Sequence, residues 1–393
     1  MRVLFACVPA YGHLHPLLPL ARALAAAGDE VTIASGPDVA TSIEAAGLRS
    51  CALGPPYAEW FAEIGRRGGG QLGDGLPIDR ILPYFVPRLF AEVGAQFMVD
   101  GLVAAAAGTD LLIFESFAFA GPLAAAVAGV PAVHHLLGPP VPEEAMALAA
   151  DAISPLRRRY GQDYARFAGA YEVPTIAICP PALGASALPD PPEVLSLRPV
   201  PIDAWGDAVL PDWVATLPDR PTVYVTLGTV VNQNRGIFTA VLEALAGEAV
   251  NVIVTVGQAN DPAALGPLPP NARAERYIPQ SQLLPHCALV ISHGGSGTLF
   301  ATLAQGLPTL MIPQGADQFV NAELCAAARV AERLLPSEVT SDAIRDRTRA
   351  LLGASPAREA AGRVAQEIAA MPGPDEVAGQ LRPFVDRLRA HDL

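Results

Sequence analysis

The chain has 393 residues, of which 51% are hydrophobic and 17% are charged, and its formal net charge at pH 7 is −13. The length is typical of two domains, the composition excludes a disordered chain, and the acidic balance argues against nucleic acid or an anionic membrane surface as a partner. The sequence contains no lysine, which excludes chemistry that depends on a P-loop lysine, a Schiff base or a pyridoxal phosphate anchor.

The first half of the chain predicts a strand–helix–strand pattern. Continuous apolar runs alternate with stretches of helical spacing, and two of those stretches end in a glycine, at Gly28 and Gly129. Unbroken apolar runs are typical of parallel strands that are covered on both faces. The strand-like runs of this half lie at residues 2–8, 31–34, 111–114 and 131–134.

The second half repeats this alternation after a proline-rich linker near residues 197–217. Its strand-like runs lie at residues 222–227, 250–256, 273–277, 289–292 and 309–312. We therefore expect an α/β protein with two Rossmann-like, doubly wound parallel sheets. The expected parts are a first domain over 1–205, a second domain over 218–375, and a C-terminal helix over 376–393 that packs back on the first domain.

The turn from His293 to Thr298 reads HGGSGT and lies between a strand-like run and a helical stretch. A glycine-rich turn that enters a helix directs several backbone N–H groups toward one point, where the helix dipole adds partial positive charge. The Thr298 hydroxyl and the His293 ring can add hydrogen bonds to a phosphate oxygen. The segment predicts a diphosphate site, although the glycines alone are equally typical of a tight structural turn.

Other polar groups follow strands of the same predicted sheet. Thr229 lies in the turn after the first strand, and Tyr277 with Gln280 offers an aromatic face and an amide to a planar base. Asp317 and Gln318 suit the hydroxyls of a sugar. Ligands of open α/β sheets bind at the carboxyl ends of the strands. The ordered set therefore predicts a nucleotide-sugar site, although each group alone would be weak evidence for one.

Residues 277–318 resemble the nucleotide-sugar signature of GT-B glycosyltransferases, and from His293 to Gln318 the spacing matches the plant form of that signature without a gap. The resemblance extends over essentially the whole chain, and it is strongest for actinobacterial enzymes that attach deoxysugars to polyketides, macrolides and enediynes. It implies a GT-B fold, in which two Rossmann-like domains face each other across a cleft, and the activity of a hexosyltransferase.

The same resemblance implies which residues contact the donor. The glycine-rich turn and Thr229 would hold the diphosphate, the aromatic and amide pair would flank the base, and the carboxylate–amide pair would hold the sugar. The implied donor-binding residues are Gly12, Thr229, Tyr277, Ile278, Gln280, His293, Gly295, Ser296, Gly297, Thr298, Asp317 and Gln318.

Two positions depart from the plant signature. Tyr277 replaces a tryptophan that stacks on the base, and Ala301 replaces a glutamate that binds both ribose hydroxyls. Without that carboxylate there is no reason to require a 2′-hydroxyl. We therefore expect a thymidine diphosphate (TDP) sugar as co-substrate rather than a uridine one.

His13 lies in the predicted turn between the first strand and the first helix. Sugar transfer to a hydroxyl needs a general base, and an imidazole titrates near neutral pH. The resemblance implies an acidic partner at the end of the strand LLIFE, where this chain has Glu115 in place of the more usual aspartate. A capping or packing role for His13 is the competing interpretation.

The expected reaction is a single displacement that inverts the anomeric carbon, with no resident cofactor and no metal, because the sequence has no D-x-D motif. The expected acceptor is a bulky, apolar molecule. Aromatic residues of the first half are more often core than pocket, and the resemblance is what favours an acceptor-binding wall formed by Trp60, Phe61 and Phe85. His134 ends a strand of the same half, where a position in the acceptor pocket and a half-buried structural role are equally expected.

Five scattered cysteines and an N-terminus that begins at once with a strand favour a cytoplasmic protein, and no membrane span is evident. Two other functions stay open: a GT-B nucleotide-sugar epimerase, and a non-catalytic protein that only binds nucleotide sugars. A nicotinamide dehydrogenase is excluded because the first turn, PAYGHLHP, is no G-x-G-x-x-G. Whether the chain forms a homodimer also stays open.

Overall fold

The computed structural model describes residues 1–68, 76–184, 188–201, 203, 209–228 and 234–391. These residues form two compact units. The first comprises Met1–Cys179, Gly184–Arg198 and Met371–Leu393, and the second comprises Pro180–Leu183 and Pro199–Ala370. The chain passes from one unit to the other at Arg198, inside the expected linker, of which residues 202 and 204–208 lie outside the described residues.

The first unit is a seven-stranded parallel sheet with helices. Its strands follow the order β3-β2-β1-β4-β5-β6-β7, so the strand order reverses between β1 and β4. The strands are β1 Arg2–Ala6, β2 Glu30–Ser35, β3 Arg49–Ala52, β4 Leu111–Glu115, β5 Ala132–His135, β6 Thr175–Ala177 and β7 Val194–Ser196. The helices are α1 Tyr11–Leu14, α2 Leu18–Ala26, α3 Ala40–Ala45, α4 Tyr57–Arg66, α5 Ile81–Phe85, α6 Ala95–Ala106, α7 Ala120–Ala128 and α8 Glu143–Arg159.

The second unit is a six-stranded parallel sheet in the order β10-β9-β8-β11-β12-β13, and its reversal lies between β8 and β11. The strands are β8 Thr222–Thr226, β9 Asn251–Thr255, β10 Ala272–Glu275, β11 Leu289–Ser292, β12 Thr309–Met311 and β13 Ala331–Arg333. The helices are α9 Arg235–Leu245, α10 Gln280–Leu283, α11 Ser296–Ala304, α12 Gln318–Ala327, α13 Ser341–Leu352 and α14 Pro356–Ala370.

The expected α/β architecture with two doubly wound parallel sheets is confirmed. The predicted runs missed four short strands, β3, β6, β7 and β13. Three of them lie at sheet edges and expose part of their surface, so they carry polar residues instead of an apolar run. β6 is buried but has only three residues, which is too short to give a pattern.

The last helix, α15 Pro374–His391, belongs to the first unit and packs against α2. Leu381 and Phe384 are among the buried residues of this helix. The Arg382 guanidinium donates a hydrogen bond to the buried Asp29 carboxylate, which also binds the N-terminal ammonium at 2.5 Å. After residue 370 the chain therefore returns to the first unit, where apolar packing and an ion pair hold its last helix.

One helical run among the described residues, Ile81–Ala106, is long and apolar enough to cross a membrane by length and composition alone. Half of the apolar part of this run is buried in the fold, as in core helices of other proteins. Its middle, Val86–Gly94, has π-helical hydrogen bonds and packs against α8. Prolines and charged residues interrupt the run, which is why the sequence predicts no span there.

Candidate active site

The first group of candidate residues lies where the sheet of the first unit reverses its strand order. β1 and β4 are neighbours with Ala6 opposite Phe114, so the turn after β1 meets the end of β4. That turn contains α1 and carries His13, whose Nδ1 lies 3.1 Å from Oε1 of Glu115. A reversal of strand order leaves a crevice at the carboxyl ends of the strands, so the fold places both residues where ligands of such sheets bind.

Glu115 has no exposed surface, and both of its oxygens are engaged. Oε1 accepts from the Val8 backbone N–H at 3.1 Å, and Oε2 accepts from the Phe117 backbone N–H at 2.8 Å. A buried carboxylate needs such donors, because an unpaired charge would be costly in the interior. As an acceptor it holds the proton of His13 on Nδ1, which leaves Nε2 as the basic ring nitrogen.

Two phenylalanines enclose the imidazole. The Phe90 and Phe117 ring centres lie 5.5 and 5.4 Å from that of His13, whose side chain is 16% exposed. The Glu115 charge reaches other groups as well. Burial and this charge raise the pKa of Tyr57 and of the Cys7 thiol, so both stay neutral at physiological pH.

The expected acceptor wall is only partly assembled at a surface. Phe61 is 37% exposed and its ring meets that of Tyr57 at 5.1 Å. Trp60, one position earlier on α4, is 1% exposed and packs so closely on Gly94 that a β-carbon there would lie 2.3 Å from the indole. Phe85 is half-buried beside Tyr84. Phe61 and Phe85 therefore have surface available to a ligand, whereas Trp60 is a core residue.

His134 lies in the core of the first unit. It has no exposed surface, its Nε2 is 3.1 Å from the Ser116 hydroxyl, and its ring packs between those of Phe114 and Tyr171. Burial lowers the pKa of His134 to about 3 and that of its neighbour His135 to about 4. Because the sequence places His134 at a strand end without saying which face it takes, the expectation of a pocket position did not anticipate this packing.

These buried imidazoles should make stability depend on pH. An unfolded histidine binds a proton below about pH 6.5, whereas His134 and His135 stay neutral in the fold until far lower pH. The free energy of unfolding should therefore fall as pH drops below 6.5, by up to about 1.4 kcal/mol per pH unit for each residue. Urea unfolding between about pH 7 and 5.5 measures this slope.

The matched variants for this measurement are His134→Phe, which removes a buried imidazole, and His286→Gln, which removes an exposed one. The first should reduce the slope and the second should leave it unchanged. Equal slopes in the wild-type protein and His134→Phe would contradict the assignment.

The second group of candidate residues lies at the strand-order reversal of the second unit. β11 ends at Ser292 beside the end of β8, and α11 begins at Ser296 after Gly295. Gly294 has a φ of +89°, which L side chains rarely adopt, and a β-carbon there would lie 2.6 Å from Met311. The turn thus needs its first glycine for backbone geometry, and it presents the unpaired N–H groups of a helix N-terminus.

Two glycines lie close to the His293 ring. A β-carbon would lie 2.6 Å from the ring at Gly228 and 2.5 Å from its Nε2 at Gly295. Burial lowers the pKa of His293 to about 4. A contact with the Thr226 carbonyl acts in the opposite direction but is the smaller effect. Its Nδ1 is buried without a partner among the described residues. The imidazole is therefore neutral and can contribute a hydrogen bond, but no charge, to a ligand.

Tyr277 is 41% exposed. Partial burial of its hydroxyl raises its pKa to about 12, and nearby Asp203 and Tyr224 make smaller contributions in the same direction. Gln280 extends its Nε2 to the Tyr224 and Thr298 hydroxyls, at 3.3 Å each. This ties the strand end to the first turn of α11.

Several other expected donor residues differ in their surroundings. The Ile278 side chain is buried in an apolar cluster that also contains Ala301. Gly12 and Gly297 have open space around the β-carbon position, so their missing side chains are not explained by packing. Thr229 lies outside the described residues.

Asp317 ends the loop after β12, and its Oδ2 accepts from the Ser296 hydroxyl at 3.2 Å. Gln318 uses its Oε1 to accept the Gln314 and Gly315 backbone N–H groups, so this oxygen closes the loop. The structure adds Asn321, which the sequence prediction missed, with its Nδ2 3.0 Å from the Asp317 carboxylate. The only sequence signal for it is its place one helical turn after Asp317.

Comparison with known proteins assigns this arrangement to a class. Residues 84–228 and 239–384 match the N- and C-terminal domain models of the erythromycin biosynthesis protein CIII-like family. The L-demethylnoviosyl transferase of Streptomyces niveus is 34% identical over 96% of this chain and 97% of that protein. The aclacinomycin-T 2-deoxy-L-fucose transferase of Streptomyces galilaeus is 30% identical over 99% and 96%.

Solved structures agree. The glycosyltransferase SnogD from Streptomyces nogalater superposes with a TM-score of 0.77 at 32% identity, covering 98% of this chain and 100% of that one. VinC in complex with DTDP gives 0.79 at 28%, and the spinosyn rhamnosyltransferase SpnG complexed with thymidine diphosphate gives 0.78 at 28%, both with the same coverages. The chain is a GT-B glycosyltransferase. It belongs to the erythromycin biosynthesis protein CIII-like family of antibiotic-pathway enzymes.

Proposed function

We propose that the protein transfers a sugar, with inversion, from a TDP-sugar to a hydroxyl of a bulky apolar natural product. The observation that carries the proposal is the hydrogen bond of 3.1 Å between His13 and the fully buried Glu115 at the strand-order reversal of the first unit. A carboxylate behind an imidazole orients it and stabilises the imidazolium that forms. The first unit would bind the acceptor and the second the donor.

In the proposed reaction, Nε2 of His13 accepts the proton of the acceptor hydroxyl. The oxygen forms a bond to the anomeric carbon while the bond from that carbon to the diphosphate oxygen breaks, and the electron pair leaves with the nucleoside diphosphate. The N–H groups at the start of α11 and the neutral His293 ring stabilise the leaving charge. A single displacement inverts the anomeric configuration.

The preference for TDP is supported by the two relatives that were crystallised with thymidine diphosphate. It is also supported by Ala301, which is 5% exposed and packs against apolar neighbours where the plant signature has its ribose-binding glutamate. We expect TDP to bind more tightly than UDP in side-by-side calorimetry. Clearly tighter UDP binding would contradict the assignment.

The activity is tested by mass spectrometry of a TDP-sugar panel against polyketide aglycones.

Transfer should continue in EDTA, because the proposed leaving-group contacts come from backbone groups and an imidazole, and the described residues contain no cluster of three or more metal-ligating side chains. Loss of activity in EDTA that Mg²⁺ restores would contradict the metal-free mechanism. Conversion of a nucleotide sugar without an acceptor would favour the epimerase instead. A cytoplasmic location, consistent with five free cysteines, is part of the same proposal.

A further inference from the structure

Asn321 connects the glycine-rich turn to the loop that carries Asp317. It lies on α12 one helical turn after Asp317, and it is 2% exposed. Its Nδ2 lies 2.9 Å from the Gly294 carbonyl, 3.2 Å from the Ser296 hydroxyl and 3.0 Å from Oδ2 of Asp317. One buried amide thus meets acceptors on the turn, on the first residue of α11 and on the expected sugar-binding carboxylate.

These contacts form a closed triangle. The Ser296 hydroxyl also donates to Oδ2 of Asp317, at 3.2 Å, so that oxygen receives two hydrogen bonds from the protein. Within the described part of the chain Oδ1 has no donor, and it is the oxygen left for a sugar hydroxyl. The protein therefore fixes one oxygen of the Asp317 carboxylate by hydrogen bonds and leaves the other oxygen available to a ligand.

We propose that Asn321 is a positioning residue that fixes the Asp317 carboxylate relative to the diphosphate turn, and so sets where the anomeric carbon lies with respect to its leaving group. This inference rests on the proposed function. An amide fits this position because its two N–H bonds can be shared among the three oxygens, whereas an aspartate would offer only acceptors and would oppose Asp317 with a like charge.

The test compares Asn321→Ala with Asn251→Ala. Asn251 is also buried, at 3% exposure, and its Nδ2 also reaches three oxygens, but at the amino-terminal start of β9. Both variants should lose thermal stability, because each removes the hydrogen bonds that a buried amide donates to backbone carbonyl groups. Only Asn321→Ala should also change how the protein distinguishes a TDP-sugar from free TDP.

Calorimetry with TDP, TDP-glucose and TDP-L-rhamnose measures that distinction, using whichever sugar the wild-type protein binds more tightly. Asn321→Ala should weaken sugar-nucleotide binding by about 10-fold or more and TDP binding by no more than about 3-fold, because only the sugar nucleotide has a sugar for the Asp317 carboxylate to contact, whereas the backbone N–H groups at the start of α11 remain for the diphosphate. Asn251→Ala should weaken the two equally or not at all. Should Asn321→Ala fail to fold, Asn321→Ser, which keeps one donor, makes the same comparison.

A double variant separates positioning from general loss of structure. If Asn321 acts through Asp317, then Asp317→Ala should remove the effect of Asn321→Ala, and Asp317→Ala/Asn321→Ala should bind the sugar nucleotide within about 2-fold of Asp317→Ala. Additive losses of affinity in the double variant, or equal losses for TDP and the TDP-sugar, would overturn the positioning role of Asn321 but not the proposed function. A wild-type protein that binds neither TDP nor a TDP-sugar would overturn the proposed function together with it.

Discussion

Replacing His13 with alanine should reduce sugar transfer by about 10²–10⁴-fold, the range that a general base contributes, while TDP binds as it does to the wild-type protein. The imidazole is the only group described at this strand end whose orientation is set by a buried carboxylate, through the 3.1 Å contact with Glu115. The glycine-rich turn that is proposed to hold the diphosphate belongs to the other unit. Loss of the base should therefore reduce the rate of transfer and leave the affinity for the nucleotide unchanged.

His15 provides the matched control, because it lies in the same turn and its ring contacts Tyr11 instead of the carboxylate. His15→Ala should keep transfer within a few fold of wild type. Glu115→Gln should reduce transfer strongly, since the amide can present an N–H to Nδ1 and favour the wrong tautomer. Weaker TDP binding with normal turnover in His13→Ala would show that His13 has a donor-binding role instead.

The family resemblance implied that His13 pairs with Glu115, and the strand pattern of the sequence agrees with that pairing for a physical reason. The runs that became β1 and β4 are continuous and apolar because both strands are covered on both faces, and parallel strands end at the same edge of a sheet. Once they were expected to be strands, the residues after β1 and at the end of β4 had to lie near that edge. The register of Ala6 opposite Phe114 adds that the two strands are neighbours.

What could not be predicted depends on contacts between distant segments. His134 ends an apolar run as expected, but only packing between Phe114 and Tyr171 shows that its ring faces the core. Trp60 and Phe61 are adjacent on α4, and the helical rotation between them buries one and exposes the other. Asn321 looks like an ordinary helix residue until the glycine-rich turn is placed against it.

Adding one methyl group at Gly295 should abolish detectable TDP binding at concentrations where the wild-type protein is saturated. Gly295 has ordinary extended backbone angles, φ −65° and ψ 139°, so alanine is not strained there by conformation. Its β-carbon would instead lie 2.5 Å from Nε2 of His293. Gly228 also approaches this ring, since a β-carbon there would lie 2.6 Å from it, so either the imidazole or the turn must shift to admit the methyl group.

The control is Gly362→Ala, which adds the same methyl group in the same unit, on α14, where nothing lies within 4 Å of the new β-carbon. It should bind TDP normally and unfold at a similar or slightly higher temperature, because alanine favours a helix over glycine. If Gly295→Ala also bound TDP normally, the diphosphate could not depend on the spacing between the imidazole and the start of α11. The position of His293 matters because it is neutral: at a pKa of about 4 it offers a directed hydrogen bond in place of a charge, and a directed bond tolerates little displacement.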